Sequence, residues 1–372
     1  MRIAFFTETF LPSTDGVVTR LTHTLEELHR LGAEVLVFAP KGAPPAYAGA
    51  RVHGLPGVPF PPYPEKKMCP PHPGMGRALK SFEPDLIHAV NPFILGTGGV
   101  YYARRLGLPL VASYHTNLVT YASYYGLGFT ERVAWSYFRN LHNKAIINLC
   151  TSEATRDQLL GEGIKRVRLW PQGVDARRFR PDRASRDWRI KLSGGHPDQK
   201  ILLYVGRLAA EKGIGRLKAV LREVPSSRLA IVGDGPARKA LEKEFRGTPA
   251  VFAGLLTGDD LAAAFASADL FLFPSTTETL GMAMIEALAS GIPVVAARSG
   301  ASHEVVSEGE NGLLYEPGSD KALIAAARRI LEDDALRQTM SLGARAAAEK
   351  RGWEASTATL VDYYEEAVGA LR

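Results

Sequence analysis

Short apolar runs rich in β-branched residues alternate along the chain with longer stretches whose apolar residues recur at helical spacing. In the first half the runs are Arg2 to Thr7, Glu34 to Ala39, Asp85 to Val90, Leu110 to Tyr114, Ile147 to Thr151 and Arg166 to Leu169, the pattern of strands buried in a parallel sheet. Val18 to Leu31 and Phe129 to Ile146 carry helical periodicity between them. This alternation predicts a doubly wound α/β domain. The polar stretch Phe179 to Lys200, with Pro181, Gly194, Gly195 and Pro197, reads as an inter-domain linker. Beyond it the pattern restarts, with strands expected at Ile201 to Val205, Arg228 to Val232, Val251 to Ala253, Leu270 to Pro274 and Val294 to Ala297. The expected domains are residues 1–185 and 186–355, and the segment 356–372 holds a last helix, Ser356 to Leu371, that packs back on the first domain. Two such domains facing each other leave a ligand cleft at the C-terminal ends of their strands. Leu55 to Gly74, proline-rich around Tyr63, Lys66 and Lys67, fits neither period and reads as a surface loop near that cleft.

A length of 372 residues suits two domains. With 46% hydrophobic and 23% charged residues the composition is that of an ordinary globular protein. No stretch approaches the roughly 20 apolar residues of a membrane span, and Arg2, Thr7, Glu8 and Thr9 interrupt the opening residues where a secretory signal would be apolar. Cys69 and Cys150 match no metal or redox spacing and read as unbonded thiols of a reducing cytoplasm. The net charge of +6 is unevenly placed: residues 1–191 hold 25 Lys+Arg against 15 Asp+Glu, and the remainder 20 against 24. A basic first half suits an anionic membrane surface or an acidic substrate. A nucleic-acid partner is not expected, because aromatic and basic residues do not interleave as base stacking requires.

Several motifs bear on chemistry. Glu278-Thr279-Leu280-Gly281 opens a helical segment that carries Glu286, with seven residues between the two glutamates. A glycine turn at a helix start gathers backbone N–H groups, the positive end of a helix dipole and a carboxylate. There Glu278 can accept from sugar hydroxyls, and Glu286, about two turns into the helix, from the vicinal diol of a ribose. Arg207 at a strand end and Lys212 at the following helix start suit a pyrophosphate leaving group. Gly233, within Val232-Gly233-Asp234-Gly235, marks a tight strand-to-helix turn that shapes a nucleotide pocket, and Leu255-Leu256 can present backbone groups to a nucleobase. Gly16 follows the first strand and lets the backbone approach a phosphate at the next helix start. His115, closing a strand, can hydrogen-bond a substrate hydroxyl or shuttle a proton. Asp259 and Asp260 read as an N-cap and dipole partner of a helix from Leu261. A nicotinamide dehydrogenase is not indicated, because the Gly-x-Gly-x-x-Gly fingerprint is absent; nor is a metal held by two aspartates, because no Asp-x-Asp occurs.

The ordered set Gly16, His115, Arg207 with Lys212, and Glu278 with Glu286 resembles the retaining nucleotide-sugar glycosyltransferases of family 4 over nearly the whole chain. That resemblance implies the GT-B fold of two Rossmann-like domains. Thr7-Glu8-Thr9-Phe10-Leu11-Pro12, Asp85-Leu86-Ile87-His88, Ser113-Tyr114-His115-Thr116, Asn148-Leu149-Cys150-Thr151-Ser152, Gly173-Val174-Asp175 and Pro274-Ser275 look like sulfolipid synthases, which transfer sulfoquinovose from UDP to diacylglycerol. The family implies that Arg207 and Lys212 hold the diphosphate, Glu286 the ribose, Glu278 with Thr279, Leu280 and Gly281 the sugar, and His115 the sugar near its C6. Arg20 and Lys67 are candidates for a C6 sulfonate. The sequence departs from the sulfolipid pattern at Ser299 to Glu304, where Gly-Gly-Ile-Pro-Asp is usual, and at Asp15, where a second glycine is common. The resemblance thus implies a cofactor-free, metal-free transferase at the inner face of the cytoplasmic membrane, with a UDP-sugar donor and a lipid acceptor. UDP-glucose, UDP-galactose or GDP-mannose as donor, and a non-catalytic nucleotide-sugar-binding protein, are the alternatives.

Overall fold

In the computed structural model the described residues are 1–13, 15–60, 63–115, 131–276, 281–300 and 302–371, with the side chains of 60 and 63–66 excepted. They form two units: Met1–Gly173 with Trp353–Arg372, and Val174–Gly352.

The first unit is built on an eight-stranded sheet. Its strands are β1 (Arg2–Thr7), β2 (Glu34–Pro40), β3 (Ala46–Tyr47), β4 (Ala50–Leu55), β7 (Leu86–Val90), β8 (Leu110–Ser113), β9 (Ile147–Cys150) and β10 (Val167–Leu169). Their order is β10-β9-β8-β7-β1-β2-β4-β3, and every neighbouring pair is parallel except β3 with β4. The chain runs outward from β1 through β2 to β4, then restarts at β7 and runs the other way, so β1 and β7 flank a topological switch point. β1 and β7 are buried almost throughout. Covering helices include Gly16–Arg30 and Leu95–Leu106. The helix Trp353–Gly369 belongs to this unit and packs on Gly16–Arg30, with His23 stacked on Trp353 at 4.9 Å.

The second unit repeats the scheme with β11 (Lys200–Val205), β12 (Ser227–Val232), β13 (Ala250–Gly254), β14 (Leu270–Phe273), β15 (Val294–Ala297) and β16 (Gly312–Tyr315). Their order is β13-β12-β11-β14-β15-β16, all parallel, and the switch point falls between β11 and β14. Alternation along β11 feeds two cores: Ile201, Leu203 and Val205 join one, and Leu202 and Tyr204 the other.

Several expectations need correction. Strands β4 and β16 are absent from the predicted runs: the middle residues of β4 are only partly covered, whereas β16 is a buried apolar run, Gly-Leu-Leu-Tyr, that the pattern passes over. Within the expected loop Leu55 to Gly74 lies an antiparallel hairpin, β5 (Val58–Phe60) with β6 (Tyr63–Met68). The stretch read as linker holds Pro181–Arg183 and the helix Arg186–Ser193, both in the second unit. The helix after β13 starts at Gly258, with Thr257 at its cap, so Asp259 and Asp260 lie in its first turn, where they still face the dipole favourably. Among the described residues no helix is long and apolar enough to cross a membrane.

Candidate functional site

The loops leaving β11, β12 and β13 are stitched together by backbone bonds. Gly206 N–H donates to Val232 O at 3.1 Å, Leu208 N–H to Asp234 O at 2.9 Å, and Gly233 N–H to Gly254 O at 2.7 Å. Such close approach excludes a side chain at Gly233, whose φ is 133° and whose added Cβ would sit 2.0 Å from Gly206 O. Arg207 is thereby fixed on a rigid backbone at the switch point, with its side chain one-third exposed, 33%. Its guanidinium pairs with Glu211, four residues on, whose side chain is wholly buried. Lys212 ends the short turn Ala210–Lys212, is 9% exposed, and is followed by Gly213 at φ 65°. A Cβ on Gly213 would lie 3.3 Å from Pro274 O, so Lys212 is held beside the end of β14. Both cations thus lie on the segment that leaves β11 beside the switch point, where paired cations can stabilise a diphosphate.

Gly281, at φ 63°, caps the helix Met282–Ala289. Glu286 is the fifth residue of that helix, little more than one turn in and not two. The residue as a whole keeps partial exposure, yet burial pushes the pKa of its carboxyl up to about 8. Glu278, Thr279 and Leu280, three of the expected sugar contacts, lie outside the described residues. Leu255 is 60% exposed and Leu256 packs against the core. One backbone acceptor of that segment, Gly254 O, is already taken by Gly233. In the loop that departs from the sulfolipid pattern, the Ser302 hydroxyl lies 2.7 Å from Ser299 O and closes a local turn.

In the first unit the expected phosphate approach at Gly16 meets an obstacle. The helix Gly16–Arg30 is capped by Asp15, whose Oδ1 accepts from Val17 N–H and Val18 N–H, both at 3.1 Å. A carboxylate occupies the position an anionic ligand would take. Glu8 does the same for the helix Leu95–Leu106, accepting from the N–H groups of Phe93, Ile94 and Gly96 at 3.0, 2.8 and 2.8 Å.

His115 is buried, and its backbone N–H donates to Asn91 Oδ1 at 3.1 Å. Its Nε2 lies 2.8 Å from Ser113 Oγ. Burial, aided by the cation of Arg20 and by His88 and His142, holds its pKa well below the usual value. Burial therefore favours the neutral ring, the form that can both donate and accept a hydrogen bond.

Arg20, expected near a sugar C6, is wholly buried. It lies over the Trp170 ring at 3.7 Å and donates through Nη2 to Trp170 O and Pro171 O at 2.7 and 2.8 Å. Its Nε and Nη1 have no partner among the described residues, and burial lowers its pKa to about 9. Lys67 is exposed and donates to Lys41 O at 2.8 Å. Glu211, Glu8 and Asn91 were not anticipated as site residues. The signal for Glu8 was an acid placed directly after the end of β1; Glu211 sits four residues after Arg207, a spacing at which the two can pair.

Comparison with known proteins fits this geometry. The model for Glycosyltransferase Family 4 matches residues 14–178, and that for Glycosyl transferases group 1 matches residues 187–347. The chain is 37% identical over 368 residues to sulfoquinovosyl transferase SQD2 of Arabidopsis thaliana, covering 96% of this chain and 72% of that protein. It is also 37% identical over 376 residues to a GDP-mannose-dependent alpha-mannosyltransferase of Mycolicibacterium smegmatis, covering 99% and 98%. The fold matches the solved sucrose-phosphate synthase of Thermosynechococcus elongatus with a TM-score of 0.83 at 23% identity, over 99% of each chain.

Proposed function

The chain belongs to glycosyltransferase family 4, with the GT-B fold, and on that premise we propose that it transfers a sugar, with retention at the anomeric carbon, from UDP-sulfoquinovose to diacylglycerol. The observation that carries the donor chemistry is the placement of Arg207 and Lys212 about the switch point of the second unit. Both cations neutralise the diphosphate, and their hold strengthens as the glycosidic bond breaks and charge gathers on the leaving oxygen. The acceptor hydroxyl attacks from the face that the nucleotide leaves, and the departing phosphate takes its proton. Glu211 aims Arg207 from a buried position. Glu286 accepts the ribose hydroxyls, Glu278 and the backbone of Thr279, Leu280 and Gly281 meet the sugar, and His115 meets it near C6. Asp15 argues against a phosphate at Gly16, so the diphosphate is assigned to the second unit alone.

A second reading has its own support. The mannosyltransferase relative is equally identical and aligns over nearly its whole length, so GDP-mannose is the competing donor. Basic residues of the first unit, Lys67 on the β5–β6 hairpin among them, favour docking on anionic lipid, worth about 1 kcal/mol per cation near such a surface. The test is nucleotide release from UDP-sulfoquinovose, UDP-glucose, UDP-galactose and GDP-mannose, each with and without diacylglycerol vesicles. Release that needs both UDP-sulfoquinovose and diacylglycerol supports the proposal. Acceptor-dependent turnover of GDP-mannose alone sinks it in favour of the second reading.

A further inference from the structure

Four polar side chains inside the first unit form one unbroken line. Tyr364 Oη lies 2.6 Å from His88 Nδ1, His88 Nε2 lies 2.8 Å from Ser113 Oγ, and Ser113 Oγ lies 2.8 Å from His115 Nε2. All four residues are buried, so bulk water does not repair a mismatched pair.

Counting protons fixes the direction of the line. The Ser113 hydroxyl has one proton, and the two imidazoles are its only partners among the described residues, so that buried proton is bonded only if one Nε2 accepts it while the other donates to Ser113. Tyr364 has His88 as its sole hydrogen-bond partner among the described residues. Its hydroxyl proton is bonded only if Tyr364 donates to Nδ1, because the opposite polarity buries an unpaired O–H. It follows that His88 carries its proton on Nε2 and gives it to Ser113, and that Ser113 donates to Nε2 of His115. The single proton of a neutral His115 then resides on Nδ1. Both rings are held neutral by burial and by the nearby cation of Arg20.

We propose that Tyr364, on the helix Trp353–Gly369, is a positioning residue for glycosyl transfer: through His88 and Ser113 it sets the tautomer in which His115 meets the sugar, a donor at Nδ1. The inference rests on the reading of His115 as a sugar contact given above. A donor there selects an oxygen that offers a lone pair, whether of a hydroxyl or of a sulfonate.

The experiment labels the full-length protein with ¹⁵N-histidine and records long-range ¹H–¹⁵N correlations, which show which ring nitrogen of each histidine is protonated. His115→Asn identifies the His115 signals. The expected wild-type pattern is Nδ1–H for His115 and Nε2–H for His88. In Tyr364→Phe and in Ser113→Ala the His115 pattern changes to a mixture or reverses, and kcat falls roughly 10-fold, the size of one net hydrogen bond. An Nε2–H tautomer of His115 in the wild-type protein overturns the proposal, and that single spectrum decides it even if Tyr364→Phe does not fold. Loss of turnover in His115→Asn beside an unchanged His115 tautomer in Tyr364→Phe refutes the relay alone. Near wild-type turnover in His115→Asn refutes the sugar-contact premise instead.

Discussion

Replacing Glu286 by glutamine removes one titration while keeping the shape of the side chain. The wild-type carboxyl is raised from 4.5 to about 8 by burial. As a ribose acceptor it must be ionised to take two hydroxyl protons, so nucleotide-sugar binding draws on the ionised form. With a pKa near 8 that form is about 1% of the free protein at pH 6, about 10% at pH 7 and about half at pH 8. The wild-type Kd for UDP-glucose should therefore fall by roughly 50-fold from pH 6 to pH 8. A nucleotide-sugar is the right probe for isothermal titration calorimetry, because its doubly esterified diphosphate does not titrate in this range. Glu286→Gln should bind with a pH-independent Kd, weaker than wild type at pH 8 by roughly 10-fold or more, as loss of a charged acceptor implies. A flat wild-type profile, or an equal slope in the variant, would refute the reasoning. The same shift bears on stability. A folded pKa above the unfolded one gives a contribution fully present below about 4.5 and lost as pH rises through 8. Its ceiling is about 5 kcal/mol, reduced by the partial exposure of the residue.

Other outcomes follow from the same geometry. Arg207→Ala should cut kcat/KM by about 100-fold or more and, because it leaves the buried Glu211 unpaired, lower the thermal transition as well; turnover near wild type would remove the diphosphate role. Gly233→Ala forces a Cβ to within 2.0 Å of Gly206 O at a left-handed φ, and should destabilise by about 3 kcal/mol or more and abolish nucleotide-sugar binding, as read by denaturation and calorimetry. His88 and His142, lowered to about 3 and about 4 by burial, contribute stability that is present above pH 6.5 and lost as pH falls through the folded values; circular dichroism of the acid transition checks this, and a His142→Asn variant should lose less between pH 6.5 and 4. Turnover should be unchanged by a chelator, and restoration by added magnesium would count against a metal-free reaction.

Strand positions were legible because a buried parallel strand needs a continuous apolar run, and β1, β11 and β15 offer one. Strand β4 was not legible, since Ala-Arg-Val-His-Gly-Leu is half polar and is recruited by pairing with β2, a long-range fact. Arg207 and Gly233 could be placed at strand ends because a strand's length fixes where the loop begins, whereas Lys212, expected at a helix start, ends the short turn Ala210–Lys212. Asp15 stood out in the sequence only as a departure from a common glycine; that it caps the first helix, and what this means for Gly16, needed the hydrogen-bond geometry. The burial of Arg20 depends on Trp170 and Pro171, far along the chain, and no local pattern reports that. For the same reason the partnership of His88 with Tyr364 was out of reach of periodicity or spacing.

The return of the chain to its first unit also sets an order of events. Trp353 abuts Gly173, where no side chain fits because a Cβ would lie 2.5 Å from the indole. The Trp170 indole N–H donates to Ser356 O at 3.2 Å, and the Ser356 hydroxyl to Pro171 O at 2.6 Å. These partners emerge from the ribosome only after the intervening Val174–Gly352 segment has been made. At ~5–20 residues per second that segment of about 180 residues takes roughly 10 to 35 s. Through that interval the nascent first unit has its sheet but lacks the cover over Trp170 and His88, an apolar and aromatic face open to chaperones. Truncation before Trp353 would make that state permanent.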